Sequence, residues 1–212
     1  MRVAWSPTLG YARPTREVLE LAEGAARTFE SFGCEVEIVE EVMDDPVELW
    51  RAEFFASAGT RLRDALRDSP ELLDPAVAEV LEGALDLGLD DYYSKVFERY
   101  ALREKVRRFF EDYDLLLTPT LPVAAFDADR NVPPELPHRS VVDWVYYTYP
   151  FNLTGNPAAS VPCGLTEDGL PVGLQIVAGG HRETDVLRAA AAFEAARPWT
   201  YPGRASPAED RK

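Results

Sequence analysis

Apolar residues along this chain recur with two periods, and the switching between them predicts alternating strands and helices. Arg2–Ser6 is a short apolar run of strand type, followed by turn chemistry at Pro7–Gly10. Val18, Leu21, Ala22, Ala25, Ala26 and Phe29 then return every three to four residues. That spacing predicts a helix with Thr15 at its N-cap and Gly33 as its stop. Val36, Ile38 and Val39 read as a second strand. Strand, helix and strand in this order predict a right-handed unit with parallel strands.

Residues 46–113 are predicted to be almost wholly helical, most strongly from Leu89 to Tyr113. Leu89, Tyr92, Tyr93, Val96, Phe97, Tyr100, Phe109, Phe110 and Tyr113 are expected on one face, with Arg99, Arg103, Lys105 and Arg107 on or near the other. Asp114–Thr118 carries three leucines without alternation, which predicts a strand buried on both sides. Prolines 119, 122, 133, 134 and 137 forbid regular structure over 119–140. Two strands follow at about Ala158–Leu165 and Pro171–Ala178, joined by a hairpin tip at Glu167-Asp168-Gly169. A last helix runs from about Glu183 to Arg197. The expected architecture is an α/β fold: a mixed sheet flanked by helices, in one domain over 1–200 with a polar tail over 201–212.

Charge narrows the partners. The 212 residues hold 22 Lys plus Arg against 37 Asp plus Glu, a formal net charge of −15. Such a surface repels phosphate, so nucleic acid and anionic membranes are not expected partners. Cys34 and Cys163 stand alone, without closely spaced Cys or His, so neither a disulfide scaffold nor a metal site is expected. No apolar leader and no run of 18 apolar residues is visible, and a cytoplasmic location is the expectation.

Candidate nucleophiles are few. GxSxG is absent, and the eight serines (6, 31, 57, 69, 94, 140, 160 and 206) include no adjacent pair. His138 and His181 lie in loop-like sequence. Cys163, inside a predicted strand, reads as a small buried hydrophobe rather than a reactive thiol, and Cys34 reads the same way. The most unusual stretch is YPFNLTGNPAASVPCG, residues 149–164. Asn152, Thr154, Gly155, Asn156 and Pro157 form a dense turn cluster directly before a strand. It is either a tight connection or a wall of a ligand pocket. The aromatics just before it, Trp144, Tyr146, Tyr147, Tyr149 and Phe151, suit a core, an interface or a substrate channel.

That stretch, followed by GLPVGLQIVAG, resembles the C-terminal region of the amidase-signature family. YDLLLTPTLPVAA at Tyr113–Ala125 and the opening RVAWSPTLGYARPTREV resemble the same half, in the same order. The resemblance implies hydrolysis or transfer of amide groups without a cofactor. It also implies a nucleophilic serine, a second serine bridging through a cis peptide, and a lysine acting as a neutral amine. Backbone N–H groups near a glycine-rich loop would hold the oxyanion. None of these residues carries over. This chain has no Ser-Ser pair, and its lysines are only Lys95, Lys105 and Lys212. No catalytic residue is therefore expected here.

What the resemblance does imply is pocket lining by Tyr149, Asn152, Thr154 and Gly155. The tRNA-dependent amidotransferases carry an aspartate seven residues before the matching asparagine. Val145 stands there, with Asp143 a poor substitute, which points to a general amidase rather than a glutamine-directed enzyme. The leading expectation is a C-terminal amidase part, inactive alone and acting on a small-molecule amide once an N-terminal half completes it. Such a part would expose an apolar face, favouring self-association or a complementing chain. The alternative is a non-catalytic ligand-binding or partner subunit derived from an amidase.

Overall fold

A computed structural model describes residues 1–84, 87–136, 141 and 144–199. The opening unit forms as expected: β1 (Arg2–Trp5), α1 (Arg16–Ala26) and β2 (Glu35–Ile38). α1 passes into a 3-10 turn, Arg27–Phe32, and the chain reverses at Gly33, whose φ of 77° suits glycine. Thr15 occupies the N-cap in an extended conformation but makes no side-chain capping bond.

The long helical stretch divides into α2 (Val47–Asp68), α3 (Pro75–Ala84) and α4 (Leu89–Asp112). Next come β3 (Leu115–Pro119), a short helix α5 (Tyr149–Thr154), β4 (Ala158–Leu165), β5 (Pro171–Ala178) and α6 (Glu183–Ala196). The sheet order is β2-β1-β3-β5-β4. β1 runs parallel to β2 and β3, while β5 runs antiparallel to β3 and β4. The sheet is mixed and flanked by helices, an α/β fold. The tail over 201–212 lies outside the described residues.

Both faces of the sheet are covered, which explains the unbroken leucines of β3. Leu115 and Leu117 face α1 and α6, packing with Phe29, Ile176 and Phe193. Leu116 points the opposite way, into a core with Val106, Tyr146, Tyr147 and Tyr149. Successive strand residues alternate between faces, so a strand covered on both sides needs apolar residues throughout. A smaller cluster of Phe55, Leu66 and Leu81 ties α2 to α3.

α4 departs from the expected pattern. Its aromatics do not share one face. Val106 is buried, and Leu102, Phe109, Phe110 and Tyr113 pack against the core. Leu89, Tyr93, Phe97 and Tyr100 are exposed, by 71%, 51%, 65% and 58%. At 100° per residue these two sets lie on opposite sides of the helix. Arg99, expected on the solvated face, instead turns inward between α2 and α5. An apolar count along a helix does not say which apolar arc is covered.

Candidate functional site

The turn cluster after the aromatic run is not an irregular loop. Its first half is the helix α5, and its second half is the exit from that helix. Pro150 sits in the first turn, where a missing N–H costs nothing. Gly155 ends the helix with φ 76°, its N–H donating to the Phe151 carbonyl at 2.8 Å. A helix of six residues has little stability of its own, so its position depends on what grips it.

Side chains from five other elements or loops do so. On the entry side, the Tyr11 hydroxyl donates to the Tyr146 carbonyl at 2.7 Å. The Gln175 amide of β5 donates to the Tyr147 carbonyl at 2.8 Å and to Thr118 Oγ1 at 2.9 Å. The Tyr147 hydroxyl donates to the Pro7 carbonyl at 2.6 Å, and that of Tyr149 to Asp45 at 2.6 Å. At the far end, Arg99 Nε donates to the Leu153 carbonyl at 2.8 Å while Nη1 reaches Glu53 at 3.1 Å. Asn156 Nδ2 closes the exit on the Ala178 carbonyl at 2.8 Å. Burial raises the Tyr147 phenol far above its usual range, so it stays a neutral donor. Trp50 of α2 stacks on Tyr149 with ring centroids 5.7 Å apart.

Two clefts flank this segment. One, of about 540 Å³, is lined by Asn152, Gly155, Asn156 and Pro157 against Val186 and Leu187 of α6. The other, of about 300 Å³, lies between Thr154, Asn156 and Gly180 on one side and Tyr100, Arg103 and Arg107 of α4 on the other. Hydrogen bonds from Arg107 and then Arg108 hold the Glu104 carboxyl down near a pKa of about 2. The four residues expected to line a pocket thus divide. Asn152 and Gly155 are exposed on the first cleft. Thr154 is buried at the edge of the second, its hydroxyl donating back to the Pro150 carbonyl at 3.0 Å. Tyr149 is wholly buried and lines neither.

Among the described residues no serine is hydrogen-bonded to a lysine; Ser94 precedes Lys95 on α4, where successive side chains do not face each other. Ser6 Oγ is buried and accepts from the Leu9 N–H at 3.1 Å. Ser160 Oγ shares a hydrogen bond with Thr120 Oγ1 at 2.7 Å. Lys95 is paired with Glu98 at 2.9 Å and Lys105 with Asp44 at 3.3 Å. His181 is exposed in a turn; His138, Ser140, Asp143, Ser206 and Lys212 lie outside the described residues. Among the described residues, no group of three or more His, Cys, Asp or Glu is placed to hold a metal ion.

Cys163 is buried, and burial pushes its thiol up to about 11. At pH 8 only about 0.1% would be thiolate, the reactive form. Alkylation followed by mass spectrometry should therefore modify Cys34 at least tenfold faster than Cys163. Denaturation should erase the difference.

Sequence reading missed Arg99, Glu53 and Gln175. Gln175 carried a signal: it is the single polar side chain in the apolar strand PVGLQIVA. A polar group there is buried and must be paired. Arg99 and Glu53 carried none, since charges on a helix ordinarily face water.

The model of the amidase family (Amidase) matches residues 1–187. The chain belongs to the amidase family. An acylamidase of Rhodococcus erythropolis is 36% identical to this chain over 206 residues, covering 94% of the chain and 43% of that protein. A glutamyl-tRNA(Gln) amidotransferase subunit of Brevibacillus brevis is 42% identical over 106 residues, covering 50% of the chain and 21% of that protein. Two solved structures agree with the amidase fold. A bacterial aryl acylamidase superposes with a TM-score of 0.79 at 26% identity, over 93% of this chain and 44% of its own. A 6-aminohexanoate cyclic dimer hydrolase does so with a TM-score of 0.80 at 25% identity, over 94% and 45%. The chain spans less than half the length of these relatives. Among its described residues, no helix is long and apolar enough to cross a membrane.

Proposed function

We propose that this chain supplies the C-terminal part of an amide hydrolase whose nucleophile and base lie on polypeptide outside these 212 residues. One observation carries the reading. Almost the whole chain matches an acylamidase, yet it covers only 43% of that protein, and no described serine is hydrogen-bonded to a lysine. Acyl transfer needs a nucleophile, a base and oxyanion donors in one geometry. The described residues offer none of the three together.

The chain's own contribution is positioning. α5 and its exit form a rigid wall, with Asn152 and Gly155 on the open cleft as the residues that touch the amide substrate. Thr154 and Tyr149 act one layer below, fixing the turn rather than contacting ligand. The match to the acylamidase extends over 206 residues and that to the amidotransferase over 106. With Val145 where the glutamine-directed enzymes carry aspartate, this supports a general small-molecule carboxamide as substrate.

The test starts from the transcript that contains this coding region. Its upstream portion is expected to encode a Gly/Ser-rich segment with adjacent serines and a lysine, in frame or as a neighbouring gene. Producing that polypeptide together with this chain should give hydrolysis of a simple anilide, lost on Asn152→Ala through a raised KM. Unrelated upstream sequence would contradict the proposal.

A further inference from the structure

The second cleft holds a cation that no described group answers. Around it, the charges on α4 satisfy one another. Glu104 accepts from Arg107 at 2.7 Å and from Arg108 at 2.8 Å, and Arg107 also donates to Glu111 at 2.7 Å. One turn before Arg103, Arg99 is held by Glu53 and the Leu153 carbonyl. Arg103 stands between these groups, exposed, and makes no hydrogen bond or ion pair among the described residues. Carboxylates are in excess in this chain, 37 acidic residues against 22 basic. This guanidinium meets none of the described ones and lines an open cleft instead.

The opposite wall offers a complementary group. Asn156 Nδ2 is committed to the Ala178 carbonyl, which fixes the orientation of the side-chain amide. Its Oδ1 remains an acceptor without a partner. Asn156 also lines both clefts, so they share this residue. The ridge between them is low. Gly155 beside Asn156 is exposed, and nothing lies within 4 Å of where its side chain would begin. A ligand lying across that ridge can present an N–H to Oδ1 while its anionic end enters the second cleft toward Arg103.

We propose that the second cleft is a carboxylate subsite for the amine side of the substrate. Arg103 pairs with the acid group, and Asn156 Oδ1 accepts the amide N–H. The proposal rests on the reading of this chain as part of an amide hydrolase. It favours, among amides, those whose amine portion carries a carboxylate: N-acyl amino acids and carboxylated anilides. Arginine suits the role because its planar fork matches a carboxylate with two parallel bonds. Water reaches the pair, so the expected preference over a neutral amide is about fivefold.

Ligand-observed NMR titrations of the purified full chain with para-acetamidobenzoate and with acetanilide test this. The wild type is expected to bind the carboxylated anilide about fivefold more tightly at low salt, and the preference should fade as salt rises. Arg103→Gln should erase the preference while leaving acetanilide binding and Tm unchanged, because Arg103 supports no other group. Arg188→Gln removes an exposed cation from α6 and should alter neither ligand. Equal affinities in the wild type would overturn the proposal, as would a preference that survives Arg103→Gln. Failure of para-acetamidobenzoate to bind would overturn it too, and would leave Arg103 to an acidic group on another polypeptide. Unrelated sequence upstream of this coding region would sink the amide-hydrolase reading without altering the titration, so the two failures are distinct.

Discussion

Tyr147→Ala is expected to cost about 3–5 kcal/mol of stability, the range for truncating a buried aromatic. The side chain is wholly buried against the α4 side of the sheet, with Tyr146 beside it in edge-to-face contact at 6.1 Å. Its hydroxyl also holds the Pro7 carbonyl. Tyr147→Phe isolates the second effect. It keeps the ring but leaves that carbonyl without its donor, for about 1 kcal/mol. Chemical denaturation gives both numbers. The larger substitution should also be visible locally. Hydrogen exchange at the amides of 149–156 should accelerate more than exchange in β1, because Tyr147 sits directly before α5. A uniform rise across the chain would place Tyr147 in the core alone and remove its role in setting the wall.

Ile176→Ala probes the opposite face and should cost about 2–5 kcal/mol. Ile176 is fully buried in β5, between β3 and β4, and belongs to the cluster with Phe29, Val186 and Phe193. Its loss leaves a cavity beneath α1 and α6, not beneath α5. Exchange should therefore rise in α6 while the 149–156 segment keeps its protection. Because the sheet separates the two sites, the penalties of Tyr147→Ala and Ile176→Ala should add within about 0.5 kcal/mol. Strong coupling would show that the two layers are not independent.

The sheet was largely legible in the sequence. Short apolar runs, the DLLLT strand and the Glu167–Gly169 tip each carry local chemistry that allows few alternatives, and the strands form about where the pattern places them. The candidate site was legible only in part. The Asn152–Pro157 cluster read as a turn, but its first half lies in a helix. Asn and Gly are ordinary turn formers, while α5 is held by partners up to 140 positions away in sequence. Contacts at that separation leave no local trace. The inward turn of Arg99 is the same failure in reverse. A charged residue amid charged neighbours gives no sign that a backbone carbonyl and Glu53 await it across the fold. The exposed stripe on α4 was legible as apolar but not as uncovered.

At the centre of the proposed function is the reading that this chain shapes an amide site whose nucleophile and base lie on other polypeptide. The most direct measurement uses the purified 212-residue chain alone, with a simple anilide and a primary carboxamide at high enzyme concentration. Release of amine at the buffer rate is the predicted result. Turnover above that rate, removed by a single substitution in this chain such as Ser160→Ala, would contradict the account.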